Sequence, residues 1–215
     1  MATMRSYGDP CGIARGLDRV GERWALLVVR ELLLGPKRFT DLRAGLPQVS
    51  PDVLAQRLRE LESAGIVHRR KLAPPAASQV YDLTDWGRDL EPVVLALGRW
   101  GSRAPFPPGD GELGVDAFVL ALKTLFDPSA ADGLSASYEL RLGEHHFHAR
   151  VADGRLELAR GSAAQPDATI DTDPPTLARV LWHGGRARDL AVEGNRAAVT
   201  RFLSLFPPAT PAAVA

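Results

Sequence analysis

The eleven residues APFPPGDGELG, positions 104–114, constrain this 215-residue chain more than any other segment. Three prolines and three glycines in so short a run can neither continue a helix nor pair inside a sheet. We read the run as a linker, so the chain must build two hydrophobic cores, each on the scale of an ordinary domain. The expected division is a first domain over 1–103, the linker over 104–114, a second domain over 115–206 and a frayed Pro/Ala-rich tail over 207–215. Charge follows the same division. The formal net charge is zero, yet residues 1–103 carry +4 and residues 104–215 carry −4. Such asymmetry hints at a basic binding module joined to something else.

No stretch approaches the roughly 20 apolar residues that cross a bilayer, and the opening MATMRSYGDPCG lacks the apolar core of a secretory signal. Cys11 is the one cysteine, which rules out an intramolecular disulfide, and no Cys/His cluster has zinc-site spacing. These features predict a cytoplasmic protein with no metal, no cofactor and no membrane partner.

Before the linker the pattern is mostly helical. Ile13, Leu17, Val20, Trp24, Leu27 and Val28 recur at three- and four-residue steps, as one helical face or two successive helices with Gly21 at the joint. Gly35-Pro36 stops this segment. A short helix follows, with Thr40 as its expected N-cap, Leu42 and Leu46 inward and Pro47 at its end. In VSPDVLAQRLRELESAGIV, Ser50 is a capping acceptor, Pro51 fits the first helical position and Asp52 complements the helix dipole. Leu54, Leu58 and Leu61 form its buried stripe, and Gly65 is its stop. Residues 66–72 and 79–84 alternate as strands joined by a hairpin tip, and Thr84 caps a last helix running to about Trp100.

Three helices followed by a basic hairpin make a winged helix-turn-helix. A helix fits the major groove of duplex DNA, its N-terminal amides can hold a phosphate, and the hairpin carries positive charge to the adjacent backbone. With the leucines inward, the third helix shows Asp52, Gln56, Arg59 and Ser63, flanked by Arg57 and Val53. Gln can pair with adenine and Arg with guanine. The expected DNA-contacting set is therefore Lys37, Arg38, Ser50, Asp52, Gln56, Arg57, Arg59, Arg69, Arg70 and Lys71. Gln56 and Arg59 are its base readers, and the cations at 37–38 and 69–71 its phosphate contacts.

CGIARGLDRVGERWALLVVREL, RFTDLRAGLP, SPDVLAQRLRELESAGIV and VYDLTDWGRDLEPVVLALGRW together resemble the HxlR-type winged-helix regulators over about residues 11–100. The resemblance implies a transcription factor that is a homodimer joined through segments near 11–20 and 88–100. Some members of that family sense oxidants or electrophiles through a cysteine at the position of Cys11. A thiolate there needs nearby positive charge or a helix N-terminus; Cys11 sits near an expected helix start, with Arg15 one turn on. The alternative is a small buried residue at the dimer seam.

The second half reads as mixed α and β, so the whole chain is expected to be α+β. VDAFVLALKTLF is an amphipathic helix; ASYELRL, HFHARVA and RLELAR alternate, with Asp153-Gly154 a hairpin turn. DATIDTD is another short strand, PPTLARVLWHG a helix, and RAAVTRFLSLF a closing helix with Val199, Phe202, Leu203 and Phe206 on one face. These segments resemble the sterol-carrier-protein-like fold, whose sheet and helices enclose an apolar cavity. The resemblance implies an apolar-ligand sensor or a dimer-stabilising element, with Phe118, Leu122, Phe147, Leu181, Trp182 and Phe202 as pocket-lining candidates. A free-standing lipid carrier would leave the first hundred residues without a role. An enzyme is the competing class, on the strength of His145, His146 and His148. Strand alternation sends His146 and His148 to one face and His145 to the other, and no carboxylate has a fixed spacing to them. Solvated histidines and no catalytic residue are therefore the expectation.

Overall fold

The computed structural model describes residues 6–73, 78–105 and 113–212, and the chain folds as two compact units, Met1–Val94 and Leu95–Ala215. Most of the expected wing tip APPAAS (74–77 of residues 73–78), most of the expected linker (106–112) and the first five and last three residues lie outside the described residues.

The first unit contains α1 (Gly12–Val20), α2 (Ala25–Leu32), α3 (Phe39–Gly45), α4 (Pro51–Ser63), β1 (Val67–Lys71), β2 (Gln79–Leu83), α5 (Asp85–Arg88) and the start of α6 (Glu91–Gly101). Gly21 ends α1, where a Cβ would lie 2.5 Å from the Leu17 carbonyl oxygen. Trp24 then turns the chain into α2 with φ of 78°, a left-handed conformation uncommon for a residue with a Cβ. Ser50 Oγ accepts from the Val53 N–H at 3.4 Å and Pro51 occupies the first turn, so α4 starts where its residues demand. Leu54, Leu58 and Leu61 are buried together with Val28, Val29, Leu32, Leu42 and Ile66, which makes one core beneath α4. β1 and β2 pair antiparallel, Val67 opposite Leu83 and Lys71 opposite Gln79. Lys37 adds a bridge to Tyr81, each backbone N–H donating to the other's carbonyl.

Two local expectations are corrected. Helix α3 begins one residue before Thr40. Arg38 is its N-cap residue, and the Asp41 carboxylate accepts from the Arg38 N–H at 3.1 Å. Thr84 does not cap one long helix. It caps the four-residue α5, its Oγ accepting from the Gly87 N–H at 3.0 Å, and α6 starts afresh at Glu91. Pro92 explains the break, since it has no N–H to offer the Arg88 carbonyl and its ring crowds that oxygen.

The second unit carries the rest of α6, then α7 (Val115–Leu125), β3 (Ala136–Leu142), β4 (His145–Ala152), β5 (Arg155–Arg160), β6 (Ala168–Thr172), α8 (Pro174–Trp182), β7 (Ala191–Gly194) and α9 (Arg196–Leu203). Its five-stranded sheet has the order β5-β4-β3-β6-β7, antiparallel except for β3 beside β6. Asp153 and Gly154 have φ of 51° and 68°, the two left-handed positions a two-residue hairpin turn requires. Tyr138, Leu140, Phe147, Ala149, Val151 and Ile170 form the buried face of the sheet, joined by Phe118, Leu122, Leu177, Phe202 and Phe206 from the helices. On α9 the expected face is nearly right, but Leu203 is half-buried, while Leu205 beyond the helix is fully buried. In the tail, the Ala212 N–H donates to the Arg103 carbonyl at 3.0 Å.

The division falls inside α6 because its C-terminal turns pack on α7. A Cβ on Gly98 would stand 3.1 Å from the Thr124 side chain, and Arg99 Nε donates to the Thr124 carbonyl at 3.2 Å.

Candidate nucleic-acid interface

Helix α4 buries one leucine stripe and turns the opposite side to solvent, with Asp52 and Arg59 exposed and Gln56 half-buried. Gln56 and Arg59 are coupled. Arg59 Nη2 donates to Gln56 Oε1 at 2.8 Å, while Gln56 Nε2 donates to Glu60 Oε1 at 2.6 Å. This amide–guanidinium pair one turn apart presents both kinds of group that read purine edges. Ser50, exposed at the helix start, spends its hydroxyl oxygen on the cap.

Arg57 sits differently from Arg59. Its guanidinium meets Glu60 at 2.5 Å and Glu22 at 3.5 Å with 12% of the side chain exposed, so it ties α4 to the α1–α2 turn. Lys37 is also engaged, its Nζ lying 2.5 Å from the carboxylate of the buried Glu31, with 13% exposed. Glu31 further accepts from Arg30 at 2.7 Å. A Cβ on Gly45 would overlap the Glu31 carboxylate, so the absence of a side chain at the end of α3 is what admits this buried anion. Both Arg57 and Lys37 must break an internal ion pair before reaching a phosphate.

The wing's three cations differ in the partners they meet. Arg69 forms a two-pronged pair with Glu62 at 2.7 and 2.8 Å and lies over the Tyr81 ring. Arg70 pairs with Asp82 at 2.7 Å, and Asp82 also receives Arg88 at 2.9 Å and the Leu83 N–H. Lys71, exposed, has no ion pair among the described residues. Arg38, also exposed, donates to Ser78 Oγ at 3.1 Å, which sets it beside the wing strand. Residue-by-residue reading missed Arg43. It follows the inward Leu42 on α3, is exposed, and has no ion pair among the described residues. The signal was present in that helical spacing, since a cation next to a buried leucine on the helix preceding the reading helix points outward.

Cys11 is exposed at the N-cap of α1, where its N–H donates to Asp9 Oδ1 at 2.8 Å and its carbonyl accepts from the Arg15 N–H. In the second unit, Phe118, Leu122, Phe147 and Phe202 are fully buried and Leu181 and Trp182 half-buried. They pack on one another and on the sheet: the Phe118 and Trp182 rings are 5.7 Å apart, and Tyr138 and Phe202 4.7 Å. One of the three histidines, the exposed His146, finds a carboxylate that no sequence spacing announced. The His146 ring nitrogen lies 2.9 Å from Glu139 Oε1, a pairing made by the β3–β4 register and hence invisible as a spacing. Among the described residues no cluster of three or more His, Cys, Asp or Glu could hold a metal, and no helix is long and apolar enough to cross a membrane.

The family model for HxlR-like helix-turn-helix proteins matches residues 19–105. The uncharacterized HTH-type transcriptional regulator YdeP of Bacillus subtilis is 38% identical over 97 residues, which is 44% of this chain and 74% of that protein. The HTH-type transcriptional regulator YodB of the same organism is 36% identical over 91 residues, 42% of this chain and 80% of that protein. Among solved structures, the redox regulator HypR in its oxidized form is 36% identical, covering 45% of this chain and all of that one, with a TM-score of 0.40. Through its first hundred or so residues, this chain belongs to the HxlR-like helix-turn-helix family of DNA-binding transcriptional regulators.

Proposed function

We propose that the chain is a homodimeric, sequence-specific regulator that reads base edges with Gln56 and Arg59 and grips phosphates through Arg38, Arg43 and Lys71. The coupled Gln56–Arg59 pair on the solvent side of a helix rooted in the core carries this reading. Arg69 and Arg70 contribute once they exchange Glu62 and Asp82 for phosphates. Dimerisation is supported by exposed apolar residues: Ile13 and Leu17, four apart on α1, and Val93, Leu97 and Trp100 at four- and three-residue steps on α6. A protein that keeps such stripes uncovered at 75% (Ile13) and 73% (Trp100) exposure has a partner for them. Regulation of genomic DNA places the protein in the cytoplasm. Recovery of bound fragments from host genomic DNA by the full chain tests the proposal. A shared, two-fold-related site supports it, and recovery of random fragments contradicts it.

The second unit is proposed to be a sterol-carrier-protein-like, ligand-responsive domain. The Tyr138 hydroxyl and the Trp182 Nε1–H are buried in its aromatic interior without a hydrogen-bond partner among the described residues. Buried polar groups are usually paired, so two orphans beside an apolar interior are natural handles for a small molecule carrying one polar end. Thermal stabilisation by sterols or fatty alcohols, lost in Trp182→Phe, is the expected outcome; no stabilisation by any of them counts against it.

A second reading is that Cys11 senses oxidants or electrophiles. Its exposed position at the start of a nine-residue helix, with Arg15 one turn on, supports it. Operator binding that falls on treatment with diamide in the parent but not in Cys11→Ser is the expected result; equal response retires the idea.

A further inference from the structure

The end of α6, the segment after α7 and the C-terminal tail border an open, solvent-facing cleft of about 500 Å³ within the second unit. Its frame is built by backbone bonds. The Asp127 N–H donates to the Leu205 carbonyl at 2.8 Å, and the Ala212 N–H closes the far end on the Arg103 carbonyl. Pro207 and Pro208 stiffen the wall between these two ties, and Leu125 and Phe126 supply apolar surface opposite. The volume lies within the range of roughly 300–1,000 Å³ typical of small-molecule sites.

The charges in this cleft are uneven. Arg99 and Arg103 both line it, and neither meets a carboxylate among the described residues. Arg99 uses its Nε on the Thr124 carbonyl, which leaves the paired terminal nitrogens of its guanidinium for another acceptor. Asp127, the third charged group, turns its Oδ1 to the Ser129 N–H and hydroxyl at 2.9 and 2.6 Å. Those hydrogen bonds hold its carboxyl below the usual range, so it stays ionised. The cleft therefore carries two cations against one committed anion, beside an apolar wall. Guanidinium pairs favour planar carboxylates, and the remaining carboxylate opposes a second negative charge.

We infer that this cleft binds a small organic monocarboxylate with an apolar body, the carboxylate held between Arg99 and Arg103 and the body against Leu125, Phe126, Pro207 and Pro208. The site is separate from the aromatic interior considered above and stands or falls independently of it. Because Arg99 and Arg103 ride on the last turns of α6 and just beyond, an occupant fastens that helix end to α7 and the tail.

Calorimetric titration of the full chain with octanoate, octanamide and the dicarboxylate suberate tests the inference. Octanoate is expected to bind saturably, while the neutral amide and the dianion bind weaker by on the order of tenfold, the worth of one charge-assisted contact. Arg103→Gln should weaken octanoate by a similar factor, and Arg103→Lys should restore part of it. Arg103 is exposed and its side chain holds no described partner, so the variant keeps its fold, and an unchanged melting temperature verifies this. Absence of octanoate binding, equal binding of octanamide, or indifference to Arg103→Gln each overturns the inference. Octanoate binding lost in Trp182→Phe but kept in Arg103→Gln would likewise overturn it while supporting a ligand in the aromatic interior.

Discussion

Lys71→Ala isolates the electrostatic part of the DNA grip. Lys71 has no ion pair to lose among the described residues, so its removal leaves the fold alone and subtracts one phosphate contact. Each such contact contributes about 0.9 to the slope of log affinity against log salt. A fourfold rise in salt, from about 50 to 200 mM, should therefore erode the parent's advantage over the variant by about 3.5-fold. Arg70→Ala is the internal comparison. Arg70 starts in an ion pair with Asp82, so its contact with phosphate is offset by a broken one, and the change in slope should be smaller. Asp82 keeps Arg88 and the Leu83 N–H, which limits the stability lost with the half-exposed Arg70 to below about 1 kcal/mol. Fluorescence anisotropy on random-sequence duplex suffices, because phosphate contacts do not read bases. If Lys71→Ala leaves the slope unchanged, or Arg70→Ala lowers it more, then internal pairing does not rank these cations.

Three further outcomes follow from packing and charge. Gly87→Ala should destabilise the first unit by about 1–3 kcal/mol in urea unfolding, because its Cβ would overlap the Ile66 carbonyl oxygen, a backbone atom with nowhere to go. Leu97→Glu should convert a dimer to a monomer in sedimentation velocity, since it puts a charge into an apolar stripe that a partner would cover. Glu139 is held below the usual carboxylate range first by its hydrogen bond from His146, then by Arg141. A carboxylate depressed in the folded state stabilises above its unfolded pKa of about 4.3 and loses that contribution as pH falls through the folded value. Glu139→Gln should therefore flatten the decline in melting temperature between about pH 5 and 3, and an unaltered decline would refute the pairing.

Local rules made much of this legible. Ser50-Pro51, the leucine stripe of α4 and Asp153-Gly154 specify their structure within a few residues, and each behaves as its chemistry demands. The errors came where distant or neighbouring groups intervened. Thr84 has capping chemistry, but Pro92 decides how long the helix after it runs. The four residues of β7 are too short to show alternation, and they are a strand because β6 offers them an edge. Among the DNA-contacting candidates, residue type identified cations but not their partners. Glu22, Glu31 and Asp82 come from elsewhere in the fold to claim Arg57, Lys37 and Arg70, while Arg43 and Lys71 are left free among the described residues.

The central claim is that Gln56 and Arg59 read sequence, and binding of Gln56→Ala and Arg59→Ala to a genomically selected operator tests it most directly. Each substitution is predicted to cost about 1–3 kcal/mol on the operator and to relax preference at one base position, with binding to random DNA little changed for Gln56→Ala. Variants that bind both operator and random duplex as the parent does would contradict the assignment of the reading face.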